Sequence, residues 1–275
     1  MAKTVIDSAS TNSLNIAEVM RFKGLLWNLS VRDVLVRYKQ TMMGIVWAVA
    51  RPAINILIFV FFSQYIENGF DLQNRFIAVS SGIIIWGLVS SAVTDISNSL
   101  VANSNILTKV YFPKIIIPAS SLMVCLIDFF ISFLILLICK LIISGIPGIE
   151  FLMFPVFVLY GLILSFSIGI FFATLNVKYR DIKFTLPFLL QIGFYVCPVF
   201  LSTSFYIEKL PASLHPIFLS NPLVTVIEGF KYCFLGQQFA IPIMYVLYGL
   251  LITVFFLVLS IRYFIKFEKT FVDYI

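Results

Sequence analysis

Residues 115–139 read IIIPASSLMVCLIDFFISFLILLIC, and this run decides the fold. It carries a single charged residue, Asp128. A helix needs about 20 apolar residues to cross a bilayer core about 30 Å thick, and this run supplies them. It is too long for a barrel strand and lacks the alternation such a strand requires. Five further stretches qualify on either side: 44–66, 76–94, 151–176, 184–203 and 241–264. The whole chain agrees with them. Of its 275 residues, 61% are hydrophobic and 12% charged, and the mean hydropathy is +1.04. A soluble domain carries roughly 25% charged residues, so this chain lacks the charge to cover a watery surface. The expectation is an all-α polytopic membrane protein with six transmembrane helices.

Basic residues set the orientation. With six spans, Arg75, Lys140, Lys209 and Lys231 fall on one side and the other basic residues on the side of the termini. The positive-inside rule then places both termini in the cytoplasm, with Glu67, Asp71, Glu150, Glu208 and Glu228 outside. The net charge of +6 is scattered among apolar runs, so it is a topology signal and not a nucleic-acid footprint. Residues 1–20 read as a flexible cytoplasmic tail without signal-peptide features, and 265–275 as a second tail.

Three segments do not cross. Between Phe22 and Gln40, apolar Phe22, Leu25, Leu26 and Leu29 recur at helical spacing, and Val31, Val34, Leu35 and Tyr38 repeat it. Arg32, Asp33, Arg37 and Lys39 take the other faces, and Ser30 with Asp33 reads as a capping box that restarts a helix. The region 21–43 is therefore expected to be a basic amphipathic helix in the headgroup layer; a helix packed on the bundle is the alternative. Second, DISNSLVANSNILTKVYFP at 95–113 interleaves Ser, Asn and Thr with apolar residues, which suits a short docking helix. Third, the outer segment 204–240 is broken by Pro211, Pro216 and Pro222 into pieces too short to span. Such pieces read as short re-entrant or interfacial helices before the last span; at membrane depth they need protein or a watery cavity around them, which points to a pore mouth, with an external cap that has no gating role as the alternative.

The chain offers little for catalysis. It has no phosphate-binding loop. His215, the only histidine, stands beside Pro216 in the outer segment. Cys125, Cys139, Cys197 and Cys233 show no metal-ligand spacing, so no metal is expected. An ionisable residue at Asp128 is costly in mid-membrane. No basic partner is evident at that depth, so a hydrogen bond to a neighbouring helix is favoured over a proton relay. Arg51 can snorkel to the surface or meet an anionic headgroup there. Phe59, Phe61, Phe62 and Tyr65 cluster in the first span, and aromatic faces suit sliding of sugar rings.

Four stretches stand in a specific order: RDVLVRYKQTMMGIVWAVARP at 32–52, ANSNILTKVYFPKIIIP at 102–118, NVKYRDIKFTLPFLLQIGFYVCPV at 176–199 and LSNPLVTVIEGFKYCFLG at 219–236. Together they resemble the ABC-2 type permeases that export bacterial surface polysaccharides, including O-antigen, capsule and wall teichoic acid. The resemblance covers about residues 21–264. It implies a multi-pass permease of the bacterial cytoplasmic (inner) membrane, paired as a homodimer with two ATP-binding cassette ATPase subunits. ATP and Mg would be bound by those partners, with no cofactor in this chain. It also implies an undecaprenyl-diphosphate-linked glycan as substrate, O-antigen foremost. A coupling helix would fall at about 95–107, with Asp95, Ser97, Asn98, Leu100, Asn103, Asn105 and Leu107 facing the ATPase. Arg37, Lys39 and Arg51 would meet the lipid pyrophosphate. Phe59, Phe62, Tyr65 and Tyr195 would line the channel, and Pro211, Pro216, Asn221, Pro222 and Glu228 would belong to an outer gate.

Other readings make other demands. An ABC-2 exporter of drugs or small lipids has less use for the basic helix and the proline-broken segment. A membrane-embedded transferase needs clusters of His, Asp or Glu at depth, and only Asp128 is there. A proton-coupled carrier predicts inverted repeats, and none is convincing.

Overall fold

The chain folds as a helical bundle around one central helix. The computed structural model describes residues 16–39, 45–67, 71–236, 239–268 and 271. The expected tails lie mostly outside these residues, as does Gly44 at the start of the first span. The described helices are α1 (Ile16–Arg21), α2 (Lys23–Lys39), α3 (Ile45–Ile66), α4 (Leu72–Ala102), α5 (Ser104–Leu107), α6 (Ile116–Ser144), α7 (Phe154–Lys178), α8 (Ile182–Val196), α9 (Thr203–Lys209), α10 (His215–Leu219), α11 (Pro222–Leu235) and α12 (Ile243–Glu268). Five of them, α3, α4, α6, α7 and α12, are long and apolar enough to cross a membrane.

α4 is the axis of the bundle. Ile77, Ile85, Ile96 and Leu100 are fully buried along it, and it packs on α3, α6, α7, α8 and α11. In lipid there is little hydrophobic drive between helices, so close van der Waals approach through small residues does the work. Gly169 of α7 lies where a Cβ would come 2.7 Å from the Ile96 side chain, and Gly82 of α4 faces the Val199 carbonyl so closely that a Cβ would sit 1.9 Å away. Arg75, in the second turn of α4, is buried and donates to the Ser63 and Glu67 carbonyls at 2.5 and 2.7 Å. It thereby ties the end of α3, where the Ser63 carbonyl also accepts from the Glu67 amide at 3.0 Å, to α4.

Four expectations are corrected. The docking loop does not begin at Asp95, because α4 continues unbroken through Ala102. No Gly or Pro interrupts 95–102, and its polar side chains bond to their own helix: Asn98 to the Thr94 carbonyl at 2.9 Å and Ser99 to Ile96 at 2.7 Å. Ser and Asn usually favour turns because they compete for backbone partners; here they bond backward inside the helix instead. Only the four residues of α5 form a separate turn. Second, Ser30 does not restart a helix. α2 runs through it, and its hydroxyl bonds the Leu26 carbonyl at 2.9 Å. α2 packs along α6 while leaving Trp27, Leu35 and Val36 exposed, so it joins the bundle and keeps an apolar outer face.

Third, the expected span 184–203 holds a shorter apolar helix than its bounds suggested. α8 holds 15 residues, about 22 Å, and gives way at Cys197 to an irregular turn. Fourth, α4 starts before Phe76 and takes Arg75 inside it. The proline-broken segment does form short pieces. In α11, Pro222 stands in the first turn, the Asn221 side chain accepts from the Leu223 amide at 3.0 Å, and Gly236 closes the helix at φ 64°. These are the start and stop signals expected of a helix. α11 is largely buried against α4 and α7.

Candidate functional site

A cavity of about 840 Å³ opens between α3, α4, α6 and α8, with the last turn of α2 at one end. Along α4 its wall runs from Ile83 to Asp95, about 18 Å at 1.5 Å per residue. Its two ends differ in chemistry. At the α2 end stand Arg37, Tyr38, Arg51, Asp95 and Asp128. At the other stand Phe59, Trp86, Phe194 and Tyr195, with Gln191 and Asn55 as uncharged polar groups in the wall. The rings form a connected shelf. Phe59 and Phe194 lie 4.8 Å apart between centroids, Trp86 and Phe194 6.1 Å, and Phe194 and Tyr195 5.3 Å.

The charged end is tied together by Arg37. Its Nη2 donates to Asp95 Oδ2 on α4 at 2.5 Å, and its Nη1 to Asp128 Oδ2 on α6 at 2.5 Å. The Tyr38 hydroxyl donates to the second Asp128 oxygen, and the Cys125 thiol to Asp95 at 3.3 Å. Burial, reinforced by the bond to Asp128, pushes the Tyr38 hydroxyl above its ordinary pKa and keeps it a donor. Asp128 is therefore not the lone carboxylate of the sequence reading. The cation it needs arrives from a helix 91 positions earlier. The Arg37 and carboxylate side chains keep 35% and 30% of their exposure.

Arg37, Arg51, Asp95, Phe59 and Tyr195, singled out for three separate roles, thus share one cavity. Lys39 is exposed outside its wall, and Phe62 and Tyr65 project from exposed positions of α3 outside it. Of the expected coupling residues, Ser97 and Leu100 are fully buried. Asn98 accepts from Asn176 of α7 at 3.1 Å, and Asn103 accepts from Arg32 of α2 at 2.7 Å. Leu107 is buried, while Asn105 and the turn from Thr108 to Tyr111 are exposed. The free surface of this region is therefore its tip.

Beyond the aromatic end, the turn after α8 is held by the short helices. Lys231 of α11, 5% exposed, donates to the Pro198 and Leu201 carbonyls at 2.5 and 2.9 Å. Tyr206 donates to the Tyr195 carbonyl at 2.7 Å, and Glu67 accepts from the Ser202 amide at 3.1 Å. Glu228 accepts from Thr203 at 2.7 Å. Pro211 and Pro216 are exposed, and Asn221 caps α11. Trp86 and Lys231 were not anticipated. A tryptophan among apolar residues carries no distinguishing signal, and Lys231 reads by sequence as an outer topology charge.

The ABC-2 type transporter family model matches residues 24–235, which includes every wall of the cavity. The chain belongs to the ABC-2 type transporter family. It is similar to an O-antigen export system permease protein RfbA of Klebsiella pneumoniae, with 25% identity over 238 residues, 84% of this chain and 90% of that one. A second Klebsiella pneumoniae protein of that name is 26% identical over 243 residues. The RfbA protein of Myxococcus xanthus is 25% identical over 219 residues, 80% of this chain and 83% of that one. The chain is a multi-pass membrane protein of this transporter family, as its residue pattern implies.

Proposed function

We propose that this chain is the permease subunit of an ATP-driven exporter that moves an undecaprenyl-diphosphate-linked polysaccharide, O-antigen first, out of the cytoplasm. Its relatives are named as O-antigen export permeases. The observation that carries the reading is the two-ended cavity. Arg37 and Arg51 at one end suit an anionic pyrophosphate, and the aromatic shelf at the other suits the C–H faces of sugar rings.

Further parts of the reading follow from charge and exposure. The basic residues place the α2 end on the cytoplasmic side of the inner membrane. α3 is poorly buried and flanks the cavity, so a second copy facing it converts a lateral cavity into an enclosed channel. The exposed tip around Asn105 and Thr108–Tyr111 is the surface offered to each of two ATPase subunits, which bind ATP and Mg. Two experiments test the proposal. The chain should co-purify with an ATPase subunit, and failure to do so sinks the ATP-driven reading. Neutralising Arg37, Lys39 and Arg51 together should lower glycan export while membrane insertion stays normal; normal export removes the headgroup role.

A further inference from the structure

Arg37 stands where a phosphorylated headgroup needs a cation, yet it already holds two carboxylates, one on α4 and one on α6. The three groups sum to one negative charge. An anion entering this end of the cavity therefore meets an occupied cation, and Arg51 brings the four charged groups only to neutrality. We propose that Asp95 and Asp128 form a latch on Arg37 that a lipid diphosphate opens. The headgroup takes the guanidinium from the carboxylates, and the last turns of α2 lose both ion pairs to α4 and α6. The inference rests on the headgroup reading given above and names the residues that set its specificity.

The geometry carries the exchange. The fork of a guanidinium fits carboxylate and phosphate oxygens alike, so the N–H groups change partners and need not be left unpaired. Both ion pairs remain about one-third exposed to the cavity, and pairs in that setting are held less firmly than fully buried ones. The freed carboxylates face a cavity of about 840 Å³ that admits water, and Asp95 keeps the Cys125 thiol as a donor. α2 has a separate anchor nearer its start, where Leu29 and Ser30 are buried against the bundle. Release of Arg37 thus loosens the second half of α2 beyond that anchor, while Tyr38 stays on Asp128 and Arg32 on Asn103. A neutral polyprenol has nothing to offer the guanidinium and leaves the latch shut. Asp95 and Asp128 are accordingly specificity-determining residues: they set how much negative charge a lipid must carry to open the site.

Hydrogen exchange over residues 31–39 tests the latch, using the intact permease and ATPase complex in lipid nanodiscs with undecaprenyl diphosphate or undecaprenol as probe. The diphosphate should raise exchange about fivefold or more, a typical coupling between two linked equilibria, and undecaprenol should leave it unchanged. The Asp95→Asn, Asp128→Asn double variant should exchange fast without lipid, show no further rise, and bind the diphosphate about tenfold tighter. Asp128→Glu should respond like the native protein. If the double variant does not assemble, Asp128→Asn alone should give an intermediate gain in affinity. Diphosphate binding with unchanged exchange, or no gain in affinity in the variants, overturns the latch and leaves the headgroup site standing. Absence of diphosphate binding in native and variant proteins overturns the headgroup reading, and the latch with it.

Discussion

Replacing Lys231 with Met tests whether the turn after α8 is held by one buried ammonium. Met preserves much of the side-chain volume and removes the charge, so packing of α11 is little disturbed. Two carbonyls, Pro198 and Leu201, lose their donor. A buried acceptor left unpaired costs about 1–3 kcal/mol, so the pair sets a loss of about 2–6 kcal/mol. Against this, the ammonium no longer has to be taken out of water, a saving of several kcal/mol before its hydrogen bonds are counted. The net loss should be about 1–3 kcal/mol, concentrated in the turn from Cys197 to Ser202. Each 1.4 kcal/mol is tenfold in an equilibrium, so amide exchange across that turn should rise roughly 5- to 150-fold. The neighbouring bonds from Tyr206 and Glu67 remain, so the bundle itself should stay folded. Export should fall, and Lys231→Arg should restore part of it. Native exchange in the turn together with native export would refute the reasoning and reduce Lys231 to a packing residue.

Other outcomes follow from the same geometry. Gly229→Ala puts a methyl group 2.0 Å from the Phe157 ring; overpacking of this kind costs about 1–3 kcal/mol, and a lowered melting temperature of the purified protein should be partly restored by adding Phe157→Leu. Arg75→Gln leaves the Ser63 and Glu67 carbonyls short of a charged donor, so protease cleavage near residues 63–67 should speed up while α4 stays intact. Trp86→Ala removes a wall of the aromatic shelf and should cut export several-fold, with complex assembly unchanged on size-exclusion chromatography. Tyr111→Ala at the exposed tip should weaken co-purification of the ATPase and spare membrane insertion.

The spans were legible because twenty apolar residues have few alternatives in water or lipid. The boundaries were not legible where residue types are ambivalent. Ser and Asn between Asp95 and Ala102 read as a loop, and they serve a helix once their side chains bond backward along it, Ile96 meets Gly169 of α7 and Leu100 is buried. The short α8 was hidden because the apolar run continues past Val196 into a turn that sequence does not distinguish from helix. The site was legible in its parts. The family resemblance singled out Arg37, Arg51, Phe59 and Tyr195, whose charge and aromatic character are visible in the sequence. Their assembly was not legible, because the pairing of Arg37 with Asp128 depends on α2 lying along α6, a contact between segments 91 residues apart. The same distance made Asp128 look solitary.

The length of α4 has a mechanical consequence. Its 31 residues make a rod about 46 Å long, half as long again as a hydrocarbon core of about 30 Å. No Gly or Pro lies between Gly87 and Asn103, so the part that lines the cavity and the part that reaches the tip bend as one piece. A tilt of about 6° about its midpoint shifts each end by about 2.4 Å, close to the width of a hydrogen bond. A push at Asn103 is therefore carried to Asp95 through a stretch of helix with neither glycine nor proline. The helix end that leads to the exposed tip and the charged end of the cavity are thus parts of one uninterrupted helix.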